Sequence, residues 1–193
     1  MVKLTGYKKI KTAVFISGAG SNLKSLIKFS KTKKSPISIN LIISNDPKAK
    51  GLKLSKINKI KKKVFNFKKK YKIENQILSV LKEHEIKMIC LAGFMKILSR
   101  NFITKFRGKI LNIHPSLLPK YKGLNTHQRA LDNHEKYSGC TVHFVNVKLD
   151  SGRIILQKKV RITKKDTKNS LAKKILQHEH KLYPKAILKV FNL

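Results

Sequence analysis

Apolar positions along the chain switch repeatedly between the period of a strand and that of a helix. Residues 12–17 (Thr-Ala-Val-Phe-Ile-Ser) form a short apolar run that stops at Gly18-Ala-Gly20-Ser21-Asn22. Leu23, Leu26 and Ile27 then recur at helical spacing. The order is strand, glycine turn, helix. A second strand is expected over 37–43, with Ser44-Asn45-Asp46-Pro47 as its turn. A helix over 51–58, a strand over 63–67 and an amphipathic helix over 73–84 follow. Residues 87–93 (Lys-Met-Ile-Cys-Leu-Ala-Gly) read as a buried strand, and the run Lys109-Ile-Leu leads into another. Such alternation predicts an α/β fold, a Rossmann-like, mostly parallel sheet with helices on both faces.

The second half has a different rhythm. A short helix is expected over 125–133, then strands over 139–147 and 153–162 joined by Lys148-Leu149-Asp150-Ser151-Gly152, a turn that permits antiparallel pairing. The last helix is expected over 166–191, with Pro184 kinking or breaking it. No repeat or linker-like stretch divides the chain, so a single domain over 1–193 is expected. Its halves would divide near residue 100.

Asn112 and His114 stand two apart at the end of the expected strand, just before Pro115. Residues i and i+2 of a strand share a face, so a carboxamide and an imidazole would project together from its carboxyl end, where open α/β sheets place ligands. The pair offers a donor for a developing oxyanion and an acid/base group near neutral pH. The plainer reading is a strand-ending Asn and a satisfied histidine. Asp150, in the later turn, is either a turn former or the group that holds His114, in which case it would raise the histidine pKa. Together the three side chains suit acyl transfer between nitrogens without a covalent enzyme intermediate. Gly20, Ser21 and Asn22, opening the first helix, suit an anion, or simply terminate that helix well.

Charge adds one further question. The 193 residues carry 45 Lys+Arg against 9 Asp+Glu, a net charge of +36, yet only five of the basic residues are arginine. Such a field attracts phosphate-bearing partners. It reflects either compositional drift or a functional polycation. Nucleic-acid recognition is disfavoured because tryptophan is absent and few basic clusters are flanked by aromatic residues. Cys90 and Cys140, fifty residues apart, read as buried thiols rather than metal ligands. No signal peptide or membrane-spanning run is evident, so a soluble, cytoplasmic protein is expected.

Several blocks occur in one order: Ile16-Ser-Gly-Ala-Gly-Ser-Asn22, Leu91-Ala-Gly-Phe-Met-Lys-Ile-Leu-Ser99 and Leu111-Asn-Ile-His-Pro-Ser-Leu-Leu-Pro-Lys-Tyr121. Gly123-Leu124, Thr126-His127, Thr141-Val-His-Phe-Val145, Leu149-Asp150, Glu179-His180 and Tyr183-Pro184 come after them. From about Thr12 to Val190 the chain resembles the phosphoribosylglycinamide formyltransferase family, folate-dependent enzymes of purine synthesis. The resemblance implies catalytic roles for Asn112, His114 and Asp150, and phosphate binding by Gly20, Ser21 and Asn22. It also implies a ribonucleotide contact from Glu179 and a folate pocket built from Met95, Lys96, Ile97, Leu98 and Asn112. The co-substrates would be 10-formyltetrahydrofolate and glycinamide ribonucleotide, with no metal, in a monomer or homodimer. Lys96 stands where the family commonly has arginine, and Asn125 where it commonly has histidine. The alternatives are a tRNA formyltransferase, a formyltetrahydrofolate hydrolase, or a basic nucleic-acid-binding protein on the same fold.

Overall fold

A computed structural model describes residues 8–193. Seven strands form one sheet in the order β3-β2-β1-β4-β5-β6-β7. β1 (Ile10–Ile16), β2 (Ile37–Ser44), β3 (Lys61–Val64), β4 (Met88–Leu91) and β5 (Lys109–His114) run parallel. β6 (Tyr137–Phe144) and β7 (Ile154–Arg161) complete the sheet antiparallel. The strand order turns back between β1 and β4, and the carboxyl ends of β1, β4 and β5 open onto a common rim. A parallel sheet covered on both faces needs strands that are apolar on both sides. Accordingly, the last five residues of β1 and all of β4 are buried.

Two apolar layers flank the sheet. On one face α1 (Ser21–Ser30) and α6 (Lys168–Val190) pack on Val14, Ile16, Cys90, Leu111 and Val142. On the other, α3 (Lys70–Glu83) and α4 (Arg100–Lys105) cover Ala13, Phe15, Leu41, Ile43 and Ile89. Short α2 (Lys53–Ile57) follows a 3₁₀ turn, and α5 (Thr126–Asp132) lies beside α6.

Several expected elements differ. The third strand occupies Lys61–Val64 rather than 63–67. The Asn66 side chain accepts from Lys68 N–H and starts a 3₁₀ turn where the strand was expected to continue. α4 was not expected at all. Ser99 caps it by accepting from Phe102 N–H, and the buried Glu74 carboxylate accepts from both the amide and the hydroxyl of Ser99. The penultimate strand starts two residues early and stops at Phe144, because Asn146 closes the following loop through Lys148 N–H and Ser151 O.

Pro184 does not end α6, which continues to Val190. Proline supplies no N–H, so the carbonyl of His180, four residues earlier, loses its helical partner. Ser25 on α1 donates its hydroxyl to that carbonyl at 2.7 Å. The neighbouring helix thus fills the gap that proline leaves.

Candidate functional site

One cavity of about 780 Å³ opens along the carboxyl ends of β1, β4 and β5. Each end reaches it for a local reason. After β1 the chain turns through Gly20 at φ +76, and its α-carbon lies so close to Gly51 that a Cβ on Gly20 would sit 2.6 Å from the Gly51 α-carbon. Gly51 N–H also donates to Gly18 O at 3.0 Å. Only glycine meets both conditions, and the turn sets Ser21 and Asn22 on the cavity wall. After β4, Ser17 accepts from Met95 N–H at 2.7 Å, which ties residues 93–98 to the end of β1. Met95 and Ile97 stand mostly exposed at the mouth, Lys96 is exposed, and Leu98 is buried in the α3/α4 layer.

At the end of β5, Asn112 and His114 do share a face, and Asp150 comes to meet them. His114 Nδ1 lies 3.4 Å from Asp150 Oδ2. Asp150 adopts φ +45, and its carboxylate accepts from Gly123 N–H at 2.9 Å. His114 Nε2 is 2.8 Å from Tyr121 O. A carbonyl can only accept, so Nε2 carries a proton and Nδ1 is the atom that gains or gives one. Asn112 Nδ2 donates to His143 Nε2 at 3.2 Å and, more weakly, to Asp150 Oδ1 at 3.4 Å. His143 Nδ1 faces Phe144 O at 2.8 Å, so its proton is on that side and Nε2 is free to accept.

His143 was not expected at the site. It is the register partner of Asn112 across the antiparallel β5–β6 pair, which puts both side chains on one face. His127 on α5 also lines the cavity, with Nδ1 buried and without a hydrogen-bond partner. Glu179 of α6, also on the cavity wall, is 6% exposed and accepts from Asn22 Nδ2 at 2.7 Å. Asn125 lies on the wall with φ +57 at the start of α5, its side chain making no capping bond. Among the described residues, no group of three or more His, Cys, Asp or Glu has the arrangement of a metal site.

Electrostatics corrects one expectation. Asp150 was expected to raise the His114 pKa, but burial dominates and holds it below the ordinary histidine value. The Tyr121 carbonyl and Asp150 act against that shift, while His143 and Arg129 reinforce it. His114 is therefore a neutral base at neutral pH. Burial pushes Asp150 up, yet His143, the Gly123 amide and His114 together bring it below the usual carboxylate range. Burial raises the Glu179 carboxyl, opposed by Asn22.

A single cavity thus joins a glycine-turned helix start, a carboxylate-held imidazole and a carboxamide donor, on a sheet with two antiparallel closing strands. Residues 10–187 match the sequence profile of the formyl transferase family, which defines the class. The phosphoribosylglycinamide formyltransferase of Haemophilus influenzae is 43% identical over 180 residues, which cover 92% of this chain and 85% of that protein. The human trifunctional purine biosynthetic protein adenosine-3 is also 43% identical over 93% of this chain, which spans only 18% of that longer protein. The crystal structure of the Brucella melitensis phosphoribosylglycinamide formyltransferase superposes with a TM-score of 0.89 at 43% identity, covering 95% of this chain and 96% of that one. The chain belongs to the phosphoribosylglycinamide formyltransferase family.

Proposed function

We propose that the protein transfers the formyl group of 10-formyltetrahydrofolate to the glycyl amine of glycinamide ribonucleotide, a step of purine synthesis, within one catalytic unit. The observation that carries this reading is the meeting of Asn112, His114 and Asp150 in a cavity lined by two further sets of residues of different chemistry. One set is Gly20, Ser21 and Asn22 at a helix start beside Glu179, suited to a phosphate and a hydroxyl-bearing sugar. The other presents Met95, Ile97, Leu124, Val147 and Leu149, all exposed apolar side chains, which suit the flat rings of a folate with Lys96 near its carboxylates.

The glycyl nitrogen attacks the formyl carbon and forms the new C–N bond. Asn112 supplies an N–H to the developing oxyanion by giving up its weak 3.4 Å contact with Asp150. His114 Nδ1 takes the amine proton, Asp150 steadies the resulting imidazolium, and the same proton passes to the departing folate nitrogen as its bond to carbon breaks. No group on the enzyme becomes acylated.

The test supplies purified protein with both substrates and follows the release of deformylated folate. Release that requires the ribonucleotide and is lost in His114→Ala is the expected result. Release without ribonucleotide would indicate a hydrolase and overturn the reading. Because His114 must be neutral to accept the proton, its own titration midpoint in the substrate-free protein, followed by nitrogen NMR, should lie below the ordinary histidine value of about 6.5. A midpoint above that value would contradict the assignment.

A further inference from the structure

His114 and Asp150 are both held by one loop, residues 121–124. Tyr121 O fixes the His114 ring at 2.8 Å, and Gly123 N–H holds Asp150 at 2.9 Å. Backbone geometry alone does not make this loop rigid. Tyr121 has φ +55, a left-handed conformation that a bulky side chain adopts only when its surroundings impose it, and Gly123 has φ +77. Arg129, one turn into α5, provides the restraint. Its Nη1 donates to Lys122 O at 2.7 Å and lies 3.5 Å from Leu124 O, and its guanidinium stacks over the Tyr121 ring at 5.1 Å. The Tyr121 hydroxyl is pinned at the opposite side by Glu135 at 2.9 Å, which also accepts from Lys120 at 2.7 Å. Arginine's planar fork can stack and donate at once, which lysine's ammonium cannot do as well. With five arginines against 40 lysines in the chain, an arginine committed to these two contacts is an uncommon choice of residue.

We propose that Arg129 is a positioning residue for the transfer reaction: it clamps loop 121–124 so that Tyr121 O and Gly123 N–H keep His114 and Asp150 in working geometry. This rests on the proposed transferase reading only for its kinetic consequence; the clamp is a property of the substrate-free protein. Reacting groups displaced by about 1 Å lose rate steeply, while substrate contacts made elsewhere in the cavity are untouched.

The groups facing His114 are Asp150 from the β6–β7 loop, His143 from β6, Tyr121 O from the clamped loop, and Arg129 and His127 from α5. They make the test directional. Removing Arg129 as a charge alone would raise the His114 pKa, because a nearby cation is lost. Releasing the loop would lower it, because Tyr121 O and Asp150, which favour the imidazolium, withdraw.

Nitrogen NMR titration of His114 in the substrate-free protein, assigned by His114→Ala, separates the two. In Arg129→Met the midpoint is expected to move down, and the Nε2–H proton to exchange faster. In the transfer assay kcat is expected to fall about tenfold with KM for both substrates within about twofold. Arg129→Lys, which keeps the charge and one donor, is expected to recover part of both effects. A midpoint that moves up would show that Arg129 acts only as a neighbouring charge, and would overturn the clamp. So would an unmoved midpoint with a lowered thermal midpoint, which would mark a helix-packing residue. Because the titration needs no turnover, a wild-type protein without transferase activity would refute the proposed function and leave the clamp still testable.

Discussion

Acidic residues are scarce in this chain, and several of them hold a fixed structural position. Glu74 starts α4, Asp150 bridges two histidines, and Asp166 gathers Thr163, Ser170 and Lys174 at the start of α6. Glu179 is the expensive one, a carboxylate buried with a single donor from Asn22. Folding favours its protonated form, so it contributes stability that is lost as pH climbs from about 4.5 through its raised pKa. Glu179→Gln keeps an acceptor for Asn22 and removes that loss. We expect it to stabilise the substrate-free protein at pH 7 by about 1 kcal/mol in denaturant melts, while raising KM for the ribonucleotide. A destabilised variant would mean that the carboxylate is better satisfied than its hydrogen bonds indicate. At this scale the sequence was legible where spacing alone determines direction: Asn112 and His114 follow the strand period. His143 was hidden because its partner lies 31 positions away across a register that only folding sets. Arg129 carried no signal, since its contacts, to the Lys122 carbonyl and the Tyr121 ring, depend on a loop conformation that only folding sets.

Among the elements, the buried parallel strands were readable because burial on both faces forces an apolar run. β3 was shifted in the reading because Lys61, Lys62 and Lys63 have no apolar period; main-chain pairing with β2 makes that strand. α4, six residues long, owes its place to the Glu74–Ser99 contact rather than to helical periodicity. Pro184 misled in the opposite direction, because its cost is met by α1. A double-mutant cycle tests this account. Ser25→Ala alone is expected to cost about 1 kcal/mol by leaving the His180 carbonyl without a partner. In a Pro184→Ala background the restored N–H takes that carbonyl, and the same change should cost less than half as much. Equal costs in both backgrounds would show that Ser25 does not serve the proline gap. Tyr183, one residue before the proline, shares its hydroxyl between Leu91 O and Leu111 O and so ties the unbroken helix to the strand ends that bear the site.

For the whole molecule, the charge of +36 is a self-repulsion, with few exposed ion pairs among the described residues, such as Lys11–Glu85 and Lys120–Glu135, to relieve it. Screening should therefore stabilise the protein. The thermal midpoint is expected to rise as salt increases from about 0.01 M to about 0.15 M, over which the Debye length shortens from roughly 30 to 8 Å. A midpoint that falls with salt would mean that attractive pairs outweigh repulsion. Acidification acts the other way: burial depresses His114, His127 and His180, so the unfolded chain binds their protons first and stability drops as pH falls below about 6.5. Composition revealed the size of this charge, but its placement depended on the fold.

The placement has a practical side. β3 forms one border of the sheet, and all four of its residues are exposed, three of them lysine; the opposite border, β7, shows Lys158, Lys159 and Arg161 to solvent. Open strand borders are templates on which other chains can add, and bristling cations keep such chains apart. Anyone trimming surplus lysines to ease crystallisation or expression would do well to begin on the helices, because the same edit at positions 61–63 would remove charges that discourage strand addition at that border.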